Sequence, residues 1–116
     1  MPVEVALHVD GRPLCERCVL ASNPLARMRG LLGRKQLGRD EGILLRPAGS
    51  IHTAFMRFPI DAFFLDVDGR VLRIEKDLRP WRASGCRGAR AVLELSAGES
   101  ERRGVRPGER VAAAGT

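Results

Sequence analysis

Two Asp-Gly pairs, at 10–11 and 68–69, close runs of alternating side chains. In "VEVALHVDG", Val3, Val5, Leu7 and Val9 fall on one face, while Glu4, Ala6 and His8 fall on the other. Alternation of this kind marks a half-buried strand, because successive side chains leave opposite faces of the pleat. Asp-Gly supplies the backbone of a tight hairpin turn, so "PLCERCVLA" is expected as the returning strand. The pattern recurs further on. "IDAFFLDVDG" is apolar on both faces, with Ala62 and Phe64 on one and Phe63, Leu65 and Val67 on the other, and reads as a central strand covered on both sides. "RVLRIEKDL" returns from its turn with Leu72, Ile74 and Leu78 inward. Further strands are expected at "GILLR" (42–46), at 50–58, at "AVLELSAG" and after the Pro-Gly of "RPGERVA".

One segment changes period. In "SNPLARMRGLLGR", Ser22 or Asn23 can cap a helix and Pro24 suits its first turn. Leu25, Met28 and Leu32 recur at helical spacing, Leu31 widens the stripe, and Arg27, Arg34 and Lys35 are expected to stay wet. "ESERRGV" reads as a single helical turn. The fold class is therefore mostly β, a β-rich α+β fold. It is a compact antiparallel barrel or sandwich with one helix in the N-terminal half. The 116 residues suit one domain, 1–116.

The longest apolar runs, "AFFL" and "ILL", are far too short to cross a bilayer. "MPVEVALHVDG" lacks a charged-then-apolar leader pattern, and three cysteines, Cys15, Cys18 and Cys86, suit free thiols in a reducing compartment. The cytoplasm is the expected location. Net charge is +6, and 18 of the 20 basic residues are Arg. A basic surface attracts polyanions without specifying one.

Several segments occur in a characteristic order: "ARMRGLLGRKQL", "GILLRPAGSIHTAFMRFPIDAFFLDVDGRVLRI", "PWR", "GARAVLELSAG" and "GVRPGERV". Together they resemble the bacterial and archaeal family known as domain of unknown function 192, from about Leu14 to Val111. The resemblance implies a compact, mostly antiparallel β structure with a helix near its start, and no established biochemical activity. Where the family carries an aromatic pair before the methionine, this chain has Ala54–Phe55.

The stretch 50–69 mixes His52, Met56, Arg57 and Asp61 with four phenylalanines. Asp61 opens an apolar strand, so its carboxylate must find donors, such as turn amides or an Arg, or stay at a rim. Strands 50–58 and 60–68, if paired across Pro59, would set His52 beside Asp61 as an acid–base or metal pair. Against that stands the commoner case of a satisfied structural histidine. Glu94 interrupts "AVLEL" and, if interior, needs a cation, with Arg29 and Arg57 as candidates.

Cys15-Glu-Arg-Cys18 could be a redox dithiol or half a zinc site. Three residues apart in a regular strand, however, the two sulfurs should point to opposite faces, and no second ligand pair is spaced for zinc. Small buried apolar cysteines are the expected reading. Arg79, Arg82, Arg87 and Arg90 surround Trp81 in one loop, a pattern that suits an anion or a nucleic acid; the plainer expectation is a solvated loop with Trp81 packed down. No nucleophile elbow, zinc-protease or phosphate-loop motif occurs.

The leading expectation is a non-enzymatic accessory module holding a small ligand or protein partner at a pocket of His52, Met56, Arg57, Asp61 and Glu94. No catalytic residue, metal, cofactor or membrane partner is assigned. The alternatives are a small hydrolytic or metal-assisted enzyme using His52 with Asp61 or Glu94, and an anion or nucleic-acid binder through Arg79, Arg82, Arg87 and Arg90.

Overall fold

A computed structural model describes residues 3–23, 26–27 and 36–114. Among these residues the strands are β1 (Glu4–Val9), β2 (Arg12–Ala21), β3 (Glu41–Leu45), β4 (Ser50–His52), β5 (Ile60–Leu65), β6 (Val71–Leu78), β7 (Ala83–Gly85), β8 (Ala91–Ser96) and β9 (Val111–Ala113). One helical turn, α1 (Glu99–Arg102), follows β8, where a short helix was expected. Seven strands form one sheet in the order β6-β5-β8-β3-β2-β1-β9, and β4 pairs with β7 in a separate ribbon.

Asp10 and Gly11 both take positive φ, 44° and 83°, so Val9 and Arg12 face each other across a two-residue hairpin loop. The second Asp-Gly turn is wider. Asp66 accepts the amides of Asp68 and Arg70 on Oδ1 at 2.8 and 2.9 Å, which fixes the loop before β6 begins. At Gly69 a Cβ would lie 2.3 Å from the Val111 carbonyl oxygen. Its absence lets two edges of the sheet meet. Val71 donates to Glu109, Gly108 to Val71 and Val111 to Gly69, each at 2.8 Å, and Arg70 pairs with Arg110. The sheet thus curls into a half-barrel whose edge strands touch along this short seam.

The curl creates two apolar layers. Leu7, Leu14, Phe63, Leu93 and Leu95 fill the concave side. Ile43, Leu45, Ala62, Phe64 and Val92 face the convex side, beneath Met56 and Phe58. β5 is buried at all six positions and divides its side chains between the layers as its alternation requires. In β6 the inward residue is Val71 rather than Leu72, which is 37% exposed, because the register against β5 slips between Phe64 and Leu65.

All pairings are antiparallel except β2 with β3, where Arg17 faces Glu41 and Ala21 faces Leu45. Residues 22–40 make this crossover. Asn23 caps a helical start there: its Oδ1 accepts the Ala26 amide at 2.8 Å, and its carbonyl accepts that of Arg27. The remainder of the expected helix, 24–25 and 28–35, lies outside the described residues. The long strand expected at 50–58 ends at His52. It pairs with β7 rather than with β5, so the proposed adjacency of His52 and Asp61 through that pairing does not form.

Candidate functional site

Glu94 extends from β8 into the convex layer and is fully buried. Its partner is Arg27, only 2% exposed, not Arg57, which is exposed; Arg29 lies outside the described residues. The expectation that Arg27 stays wet is thus corrected. Arg27 Nε donates to both carboxylate oxygens, at 2.9 and 2.8 Å, and Nη2 donates to Oε1. Met56 places its sulfur 3.8 Å from Nη2. Burial pushes the Glu94 carboxyl above its ordinary value; the hydrogen-bonded Arg27 pulls the other way, and His52 adds a smaller pull in the same direction as Arg27. The signal for Arg27 was its i,i+4 relation to Leu31, which sets it at the edge of the apolar stripe.

Asp61 is 1% exposed and points toward α1. Oδ2 accepts the amides of Gly98 and Ser100 at 3.2 and 2.9 Å, and Oδ1 accepts that of Asp77 at 3.0 Å. Three backbone donors supply what a buried carboxylate needs, as the sequence required. The Ser100 hydroxyl beside it is the one buried side-chain polar atom without a partner among the described residues.

Cys15 and Cys18 overturn the opposite-face expectation. Between Val5 and Leu7 the register moves by two residues on β1 and by three on β2. Glu16 and Arg17 both donate to the Asp40 carbonyl, at 3.1 and 2.8 Å. This is a β-bulge, and its extra residue turns both sulfurs into the concave layer. The Cys15 thiol donates to the Asp40 carbonyl at 3.6 Å, and the mutual influence of the two thiols lowers Cys15 from the ordinary thiol value and raises Cys18; burial opposes the first shift and adds to the second. No group of three or more potential metal ligands occurs among the described residues.

Above the Arg27–Glu94 pair, two turns are joined by Thr53, which is completely buried. Its hydroxyl donates to the Arg79 carbonyl at 2.6 Å and accepts the Arg82 amide at 2.8 Å. Its own amide reaches the Arg82 carbonyl, and its carbonyl accepts the amides of Trp81 and Met56. From these turns Phe55 and Trp81 project outward, 64% and 60% exposed, with ring centroids 4.7 Å apart edge to face. Trp81 is therefore not packed down. Both residues adopt the left-handed backbone, at φ 67° and 63°. Bulky side chains rarely do so, and such strain concentrates at functional positions.

His52, Arg57, Arg79 and Arg82 are exposed on the same two segments. His52 accepts the Ala54 amide on Nδ1 at 3.3 Å. Of the five residues expected to share one pocket, His52 and Arg57 accompany this aromatic pair, whereas Met56 and Glu94 lie beneath it and Asp61 serves α1. Arg87 is exposed, and Arg90 lines a cavity to which neither Arg79 nor Arg82 contributes.

The geometry can be set beside known proteins. A crystal structure described as a "putative transcription regulator" from Sinorhizobium meliloti superposes with a TM-score of 0.86 at 28% identity, covering 99% of this chain and 97% of that one. A protein of unknown function from Novosphingobium aromaticivorans gives 0.81 at 27% identity, covering 96% and 84%. No curated protein matches significantly. The profile of domain of unknown function 192, described as an uncharacterized ACR, matches residues 5–113. The chain belongs to that family.

Proposed function

We propose that this chain is a non-enzymatic binding module that engages a protein partner through the Phe55–Trp81 platform. The observation that carries the reading is the pair of solvent-facing aromatics held in left-handed backbone by the buried Thr53. Left-handed conformations at non-glycine residues cost about 1–3 kcal/mol each, and here both side chains are mostly exposed rather than packed into the core. Trp and Arg dominate the energetics of protein interfaces, and Arg57, Arg79 and Arg82 are exposed on the two segments that carry the rings. Binding is favoured over the enzyme alternative because both carboxylates that chemistry would use are engaged, Asp61 by three amides and Glu94 by Arg27. No helix among the described residues is long and apolar enough to cross a membrane. The three unpaired thiols support a reducing compartment, and we place the module in the cytoplasm.

Nucleic-acid binding is the second reading. Trp81 lies between Arg79 and Arg82, and the net charge is +6. The description of the Sinorhizobium meliloti protein accords with it.

A photo-crosslinking amino acid at position 55 tests both in the cell. The expected result is a discrete protein adduct whose purified partner binds this chain and loses tenfold or more in affinity with Trp81→Ala. An adduct to RNA or DNA, with binding that collapses as salt rises, would select the second reading. Adducts identical to those from the exposed Glu4 position would refute a platform at Phe55.

A further inference from the structure

The concave layer does not fill the half-barrel. At the end where β3 stops and β8 begins, a cavity of about 430 Å³ opens to solvent. Its wall is apolar: Val5, Leu7, Leu20, Leu44, Leu65 and Val111. Protein interiors are packed nearly as tightly as organic crystals, so an apolar void of this size is not ordinary core packing. It matches the size and lining of small-ligand pockets, and barrel mouths are a common place for them. Val67, at its lip, is 80% exposed.

The polar groups are confined to the rim. Arg46 follows β3 and Arg90 precedes β8; the register Leu45↔Val92 brings them to the same end of adjoining strands. The Ala48 amide donates to the Arg90 carbonyl at 3.0 Å and ties the two segments together. Neither guanidinium makes a side-chain hydrogen bond or ion pair among the described residues. Asp66, the one rim carboxylate, has its Oδ1 committed to the amides of Asp68 and Arg70. Two uncompensated guanidiniums above an apolar hole complement a ligand with an apolar body and an anionic head.

We infer that the half-barrel binds a small amphiphile, an unbranched acyl chain ending in a carboxylate, with the chain in the cavity and the head between Arg46 and Arg90. This site is separate from the Phe55–Trp81 platform and does not depend on its assignment.

Decanoate tests it directly on the full chain by amide NMR, with decanol as the comparator lacking the charge. Decanoate should shift the amides of Leu7, Leu44 and Val111 in a saturable manner. Arg46→Gln with Arg90→Gln should weaken decanoate at least tenfold and leave decanol unchanged. Both arginines are exposed and unpaired, so that variant should fold, which far-UV circular dichroism checks. Ala112→Phe, which narrows the cavity from β9, should weaken both compounds. Three outcomes overturn the inference: no shift at the lining amides with millimolar decanoate, equal binding of decanol and decanoate in the parent chain, or shifts confined to the Phe55–Trp81 platform.

Discussion

Replacing Arg27 by Met removes the guanidinium that is hydrogen-bonded to a fully buried carboxylate while keeping a side chain of similar length. Breaking a buried ion pair from one side costs about 3–5 kcal/mol, because the remaining charge stays in an apolar setting without compensation. Here that setting is Ile43, Ala62, Phe64 and Val92. A domain of this size has about 5–15 kcal/mol of stability in total, so the loss is a large share of it. At about 4 °C per kcal/mol, Tm should fall by roughly 12–20 °C.

The loss should depend on pH. Burial already raises the Glu94 carboxyl in the folded state, so its contribution favours folding fully below the unfolded value of 4.5 and is lost as pH rises through the folded value. Without Arg27 the folded value rises further. Urea unfolding followed by far-UV circular dichroism should therefore find Arg27→Met mildly destabilised near pH 4.5 and strongly destabilised at about pH 7.5. Adding Glu94→Leu should recover most of the loss, since an apolar pair of matched volume can replace a buried ion pair. A cost below about 1 kcal/mol at neutral pH, or a double variant no more stable than the single one, would refute the reasoning.

Asp61→Ala leaves three backbone amides without their acceptor and should cost about 3 kcal/mol in urea unfolding; Asp61→Asn, which keeps an oxygen acceptor, should cost less. Phe55→Gly should be about 1 kcal/mol more stable than Phe55→Ala, the reverse of the usual order, because only glycine takes the left-handed backbone freely; equal stabilities would mean that φ at this position is not strained. Glu109 is held down to about 2 by hydrogen bonds from Arg12 and the Arg106 amide. Its contribution to stability is present above 4.5 and lost as pH falls toward 2, so Arg12→Gln should make the acid limb of the stability curve shallower. An acid limb unchanged in that variant would remove the Arg12–Glu109 pair from the account.

Local chemistry made the strands legible. Alternation in β1, two-sided apolarity in β5 and the positive φ at Asp10–Gly11 follow from residues a few positions apart. What sequence could not place depends on distant groups. The bulge that brings Cys15 and Cys18 together is held by the Asp40 carbonyl, and nothing within "CERC" encodes that acceptor. Arg27 is buried because Glu94 awaits it across the fold; helical spacing sets it only at the edge of the apolar stripe, where a charged residue is ordinarily assigned to water. Phe55 and Trp81 run against two general preferences, burial of large aromatics and avoidance of left-handed backbone. Thr53 overrides both through contacts with a turn nearly thirty residues away. The acidic residues of 50–69 and 91–96 drew notice as chemistry, yet Asp61 and Glu94 have structural partners, and the exposed apolar groups were the quieter signal.

The seam at Gly69 and Val111 also governs when the molecule can exist. β9 lies between β1 and β6, with Leu7 facing Ala113 and Val9 facing Val111. During synthesis β1 therefore waits for the much later β9 before its outer edge is paired. Pairings this distant in sequence are slow to form and leave a strand edge exposed in the meantime. During synthesis the chain passes through a stage in which the circle is open, the concave layer is bare and β1 can accept a foreign strand. Closure comes when residues 108–113 emerge, so this segment acts as the latch of the fold, and chaperone contact with the open half-barrel should end at that point.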